Sequence, residues 1–205
     1  MVSGGSEIRN STLLIVEGNE EVRFFGALAD KLVLQDVQIM PLGGKTQLRS
    51  RLKAVAATPG FSAVTSLGLV RDANGDPAAA FQSVRDALVA AKLPAPKRPI
   101  ASAGRSPRVT VMILPGEGNP GMLEDLCLRA VKKEPAMLCI DQFFQCLQQQ
   151  RLPLPRLLSK AKVHAYLSSK PETGKRLGEA AEAGYWPWED RAFEQVKRFL
   201  KQLTS

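Results

Sequence analysis

The chain has 205 residues, 44% hydrophobic and 23% charged, and its 28 Lys and Arg against 20 Asp and Glu leave a net charge of +8. That composition excludes a disordered chain, and no apolar run approaches the ~20 residues of a membrane helix. Three cysteines without a C-x-x-C pair and a single histidine exclude a disulfide frame, a zinc ribbon and a multi-histidine metal centre.

The opening segment MVSGGSEIRN has no basic head followed by an apolar stretch, which predicts a cytoplasmic protein. Four short apolar runs then read as buried strands: Thr12–Glu17, Val37–Leu42, Val64–Arg71 and Val109–Leu114. They are continuous rather than alternating, as strands covered on both faces should be. Helical stripes lie between them: Val22, Phe25, Ala29 and Leu32; Leu48, Leu52 and Val55; Phe81, Val84 and Leu88. Strand and helix alternating in this way predict an α/β fold with a four-stranded parallel sheet between helices. Ligands of such sheets bind at the carboxyl ends of the strands.

Leu93–Arg108 is rich in Pro, Ala, Lys and Arg and reads as a surface connection. Beyond Leu114 only helical patterns remain, on Met137, Ile140, Phe144 and Leu147, on Leu158–Leu167, and on Phe193, Val196, Leu200 and Leu203. The expected division is a domain over 1–133 and a helical C-terminal extension over 134–205 packed on it. Charge is uneven along the chain. Residues 1–125 hold 14 basic and 12 acidic side chains and 126–205 hold 14 and 8, so the C-terminal part carries most of the excess. A polyanion such as DNA or RNA is the partner this suggests, with Lys160, Lys162, Lys175 and Arg176 as phosphate contacts. No membrane partner is expected, and a homo-oligomer is compatible with the sequence.

The carboxylates at the strand ends carry the chemistry. The first strand runs into Glu17-Gly18-Asn19-Glu20-Glu21. Gly18 permits a tight turn, Asn19 suits an N-cap, and Glu20 and Glu21 suit the first helical turn. A carboxylate closing a buried strand, as Glu17 does, is costly unless paired or holding a cation. Glu21 lies one turn beyond it. The third strand runs into Asp72-Ala73-Asn74-Gly75-Asp76-Pro77, where Asp76 and Pro77 also suit a helix start. Carboxylates at the tips of strands one and three can converge on one hard cation, and oxygen ligands without Cys or His select Mg²⁺ or Mn²⁺. An EF-hand loop is excluded, because its sixth and twelfth positions are Pro77 and Ser83.

These segments resemble the Toprim superfamily, which includes topoisomerases, primases, OLD-family nucleases and small stand-alone bacterial proteins. LLIVEGNEEVRFF is the strongest segment and RDANGDP the second. Gly121-Met122-Leu123-Glu124-Asp125-Leu126 is similar to the G-x-L-E-D-L segment of the stand-alone proteins, and Gly43-Gly44-Lys45 to the Gly-Lys turn of OLD-type domains. The resemblance covers roughly residues 12–128. It implies a Mg²⁺- or Mn²⁺-dependent nuclease in a bacterial defence system. Glu17 would be the acid–base or metal-binding glutamate, and Glu21, Asp72, Asn74 and Asp76 the metal set. Glu124 would be a second-metal or substrate residue and Lys45 a phosphate contact. Asn74 stands where the family pattern has an acid, which favours the rival reading of a non-catalytic nucleic-acid- or protein-binding module. OLD-type domains occur joined to ATPases. Ile39 stands where a P-loop needs its first glycine, so an ATPase would be a separate partner.

The remaining motifs have plainer readings. Gly116-Glu117-Gly118-Asn119-Pro120-Gly121 fits G-x-G-x-x-G, but no strand follows to complete a dinucleotide-binding unit. Cys127, Cys139 and Cys146 are expected to be buried, inert thiols. Trp186 and Trp188 are expected to pack rather than to stack on bases.

Overall fold

Thr12–Val16 (β1) is buried at all five positions, as a strand covered on both sides must be. The computed structural model describes residues 7–43 and 47–205. After β1 come α1 (Asn19–Lys31), β2 (Val37–Pro41), α2 (Leu48–Ala56), β3 (Ser66–Asp72), α3 (Pro77–Ala90), β4 (Ser102–Ala103) and β5 (Arg108–Leu114). The helices α4 (Leu123–Ala130), α5 (Pro135–Gln149), α6 (Leu158–Ser168), α7 (Leu177–Glu182) and α8 (Glu194–Leu203) follow. The sheet order is β2-β1-β3-β5-β4. β2, β1, β3 and β5 are parallel, which sets their carboxyl ends along one edge.

The sheet has five strands rather than the expected four. β4 pairs antiparallel with β5, Ser102 opposite Thr110 and Ala103 opposite Val109, inside the segment expected as a plain connection. Two residues are too short to carry a pattern. Their place is fixed by the ladder and by the Ser102–Thr110 hydroxyl bond of 2.8 Å.

Side chains alternate across the sheet and divide the core in two. Leu13, Ile15, Leu67, Leu69, Val109 and Val111 meet α2 and α3 through Leu48, Leu52, Phe81, Val84 and Leu88. On the other face Leu14, Val16, Val70, Met112 and Leu114 meet α1 and all the helices after β5. Trp186 and Trp188 are buried there. Phe24 packs edge-on to Trp188 with centroids 5.1 Å apart, and the Trp186 indole donates to the Leu177 carbonyl at 3.1 Å.

α8 seals this second face. Val196, Phe199, Leu200 and Leu203 point inward. Its first turn meets the turn after β5, where Gln195 Oε1 accepts from the Glu117 amide at 3.0 Å. Its last turn meets the start of β5, where the Arg108 guanidinium donates to the Gln202 carbonyl at 2.8 Å and to the Ser205 carbonyl at 2.6 Å. The helix therefore runs against the strand direction over its whole length.

Two local expectations change. Gly18, not Asn19, is the N-cap of α1, since Asn19 already has helical geometry. Cys127 is buried, but Cys139 and Cys146 are exposed. α5 turns Met137, Ile140 and Phe144 inward, and the two thiols fall off that stripe.

Gly68 in β3 lets α8 approach: a Cβ there would lie 2.5 Å from Leu203 Cδ1 and 2.9 Å from Leu14 Cδ1. Gly68→Val is expected to lower stability by about 1–3 kcal/mol, the range for overpacking a filled core. Gly75→Ala, with nothing within 4 Å of its Cβ, is expected to stay within ~0.5 kcal/mol of the parent. Urea midpoints for the two variants check this.

Candidate functional site at the carboxyl edge of the sheet

Glu17 is the first residue past β1. Alternation puts its side chain on the face of Leu13 and Ile15, and continuing the β1–β3 register sets it across from Arg71. Glu17 Oε1 accepts from the Asp72 backbone N–H at 3.1 Å. Arg71 Nη1 stands 4.0 Å from the same oxygen, with both side chains largely covered. On the opposite flank the Glu17 carbonyl accepts from the Gly43 amide at 3.1 Å. The residue is tied to both neighbouring strands, so its carboxylate is held rather than waving from a loop.

Asp72, one residue on, faces the opposite side. Its Oδ1 accepts from the Leu123 N–H at 3.1 Å, an unpaired donor in the first turn of α4. Asn74, at φ 52°, exchanges two backbone hydrogen bonds of 2.7 Å with Gly121, and its side-chain amide lies 3.4 Å from the Asp72 carbonyl. Asp125 then accepts from the Met122 N–H at 2.8 Å and from the Ser159 hydroxyl. Gly121 is required at this turn: its φ is 132°, and a Cβ would lie 2.7 Å from Asp125 Oδ2. These bonds dock the start of α4 against the β3 tip and thereby place Glu124.

On α1, Glu20 accepts from the Gly178 N–H at 2.9 Å and joins α1 to α7. Glu21 folds back toward Gly18, whose Cβ would lie 3.2 Å from Glu21 Oε2. Burial pushes the Glu21 carboxyl above its usual range, hydrogen bonds from backbone amides counter this in part, and the negative charges of Glu17 and Glu124 push it further up. Three glutamates from three elements thus feel one another at one corner of the sheet edge. Lys160 on α6 approaches Glu124 at 3.5 Å. Among the described residues these acids are neighbours rather than a finished metal cage.

The expected site residues therefore separate. Glu17, Glu21 and Glu124 come together. Asp72 is a clasp between β3 and α4. Asp76 caps α3, accepting from the Ala78 and Ala79 amides at 2.9 Å each. Asn74 shapes the turn. Lys45 lies outside the described residues. Of the four expected phosphate contacts, Lys160, Lys162 and Lys175 are paired with Glu124, Asp141 and Glu172, and Arg176 is exposed. Sequence reasoning missed Arg71 as the partner of Glu17, although strand alternation and register would have found it. It also missed Ser159 and Asp125, which hold α4 and α6 together.

A family profile described as "Protein of unknown function (DUF3226)" matches residues 11–205. No curated protein and no solved structure matches the chain.

A carboxyl whose folded pKa lies above its unfolded one favours the protonated folded protein. Its ionisation weakens the fold as pH rises through the folded value, and the effect is absent below the unfolded value. Glu21→Gln is therefore expected to raise the melting temperature at pH 7. The gain should shrink to nothing as pH falls below the ordinary carboxyl value of 4.5. Melting curves from pH 3.5 to 8 read the difference; a gain that does not vary with pH would contradict the shift.

Proposed function

The chain belongs to the DUF3226 family, and we propose that it is a Mg²⁺- or Mn²⁺-dependent phosphodiesterase acting on nucleic acid, with Glu17, Glu21 and Glu124 as its cation-binding side. The observation that carries this is the gathering of largely covered glutamates at the carboxyl edge of a parallel sheet, where burial first, and then the charges of Glu17 and Glu124, raise the Glu21 pKa. Proteins keep such an arrangement where a cation or a proton is to be held. The donor set fits a hard divalent ion, being all carboxylate oxygen. Bound there, the ion would stabilise negative charge on the oxygens of a phosphodiester under attack.

The protein's own groups have separable parts in this reading. Glu17 is oriented by the Asp72 amide and the Arg71 guanidinium, and in this reading its held carboxylate positions a water or takes its proton. Glu21, with its raised pKa, carries a proton closer to neutral pH than an ordinary carboxyl does. Asp72, Asn74 and Asp76, expected from the sequence as ligands, act by holding the edge in shape. An ATPase partner in a bacterial defence system remains part of the proposal, resting on the Toprim resemblance. Among the described residues no helix is long and apolar enough to cross a membrane.

One observation favours the non-catalytic module instead: Asp72 and Asp76 each accept from backbone amides, and Asn74 carries no charge. A single set of measurements separates the two. In the enzyme reading, millimolar Mn²⁺ raises the melting temperature, Glu17→Gln removes that rise, and cleavage of DNA or RNA falls by about 10²-fold or more at every metal concentration. Oligonucleotide binding without cleavage would establish the module. A protein indifferent to Mn²⁺ that cuts nothing would sink the phosphodiesterase.

A further inference from the structure

The G-x-G-x-x-G stretch, which lacks the following strand of a dinucleotide-binding unit, forms one wall of a cleft. Gly116–Gly118 turns away from the end of β5, and the turn is pinned to α8 by Gln195. Gly116 has φ 99°, where a side chain is strained, and a Cβ there would lie 2.2 Å from the Gln195 side-chain oxygen and push the glutamine aside. Between this turn, the end of α4 and the start of α8 lies an open cleft of about 630 Å³. Arg129 and Lys132 line it from the α4 side, and Arg191 and Arg198 from the other. All four are exposed.

Three carboxylates also border the cleft, Glu117, Asp190 and Glu194. Two of them are engaged elsewhere. Asp190 accepts from the Ala192 amide at 2.8 Å. Glu194 is bonded to Lys197, which pulls its pKa down ahead of the weaker pull of Arg198 and Lys201. None of Arg129, Lys132, Arg191 or Arg198 makes an ion pair among the described residues, whereas Lys160, Lys162 and Lys175 all do. Four cations against three carboxylates leave the cleft net positive, and its four exposed cations, outside any salt bridge among the described residues, are available to a polyvalent anion.

We infer that this cleft grips the sugar–phosphate backbone of a polynucleotide and leads it to the glutamate corner. This rests on the nucleic-acid part of the proposed function and replaces the α6–α7 lysines as its main phosphate contacts. The geometry supplies the path. The cleft opens beyond the tip of β5, and Glu17 lies beyond the tip of β1, two strands away in the same parallel sheet. Strands spaced ~4.8 Å apart put the two tips about 10 Å from each other, a distance a few nucleotides span at ~3.4 Å per step. Arg129 and Glu124 also share α4, about 7.5 Å apart along its axis at ~1.5 Å per residue.

The test is anisotropy of a labelled single-stranded oligonucleotide, DNA and RNA, with the full chain in EDTA over a series of salt concentrations. The glutamate site is then not loaded, and binding is read independently of any metal response. Combined Arg129→Gln, Lys132→Gln, Arg191→Gln and Arg198→Gln is expected to weaken binding by on the order of tenfold or more. It should lower the slope of log K against log salt by about 2 to 3, at ~0.7 for each phosphate no longer neutralised. The same four-charge change made by Lys160→Gln, Lys162→Gln, Lys175→Gln and Arg176→Gln should cost clearly less. If the quadruple cleft variant melts early, the pairs Arg129→Gln with Lys132→Gln and Arg191→Gln with Arg198→Gln are read separately, each with about half the slope change. Cleft variants that bind like the parent, an α6–α7 variant that weakens binding as much, or a parent that binds no oligonucleotide at low salt would each overturn the inference. So would displacement of the oligonucleotide by inorganic phosphate or a mononucleotide at matched phosphate concentration, which would mark a small-anion pocket. Failure of the Mn²⁺ response with this binding intact would fail the phosphodiesterase and leave the cleft standing.

Discussion

Two hydrogen bonds from backbone amides to carboxylates organise the carboxyl edge of the sheet. Glu17 accepts from the Asp72 amide, and Asp72 accepts from the Leu123 amide. Each satisfies a donor that would otherwise end without a partner, one at a strand tip and one in the first turn of a helix. In series they tie β1 to β3 and β3 to α4. Remove the first and the Glu17 carboxylate loses its backbone tie to the tip of β3. Remove the second and the start of α4 keeps only the Asn74–Gly121 bridge, the Asp125 bonds and its core packing among the contacts described above. Burial raises the Glu21 pKa, and the charges of Glu17 and Glu124, held in place by this chain of contacts, add to the rise.

Holding like charges together opposes folding, and the remainder of the structure offsets it. The aromatic packing of Phe24, Trp188 and Phe193 fixes α1 against the C-terminal helices. The Glu20–Gly178 bond fixes its first turn. Gly178 allows that approach, since a Cβ there would lie 2.7 Å from the Glu20 carbonyl oxygen. The strain of the glutamate corner is thus carried by hydrophobic burial some distance from it, in the core between α1, α7 and α8.

The parts of the fold legible in the sequence are those written in short-range pattern. β1, β3 and β5 are mostly apolar and do not alternate, and the α1 and α3 stripes repeat at helical spacing, so both element type and sheet class follow. β4 was not legible, because two residues have no period and its partner supplies the definition. The site was legible in kind and less so in assignment. Glu17 and Asp72 look alike in sequence, each an acid at a strand end. They differ because a helix 51 residues downstream brings Leu123 to one of them. Asp76 carried both readings at once, and its two amide contacts at the head of α3 show the capping one. The proximity of Glu124 to Glu21 depends on the Asn74–Gly121 bridge, which no local spacing encodes.

The position of α8 has a consequence for how the chain is made. The helix that covers Leu14, Val70 and Met112 is formed by residues 194–203, which are synthesised after every strand of the sheet. While that segment is still in the ribosome, β1, β3 and β5 can pair and collect α2 and α3 on one face, yet the part of the opposite face that α8 covers stays open to water. The nascent protein therefore spends part of its synthesis as a sheet with one finished side and one incompletely covered apolar side. Such an intermediate is prone to sticking and suited to capture by a chaperone. Arg108, which binds the carbonyls of Gln202 and Ser205, can make its contacts only when the final turn of α8 arrives.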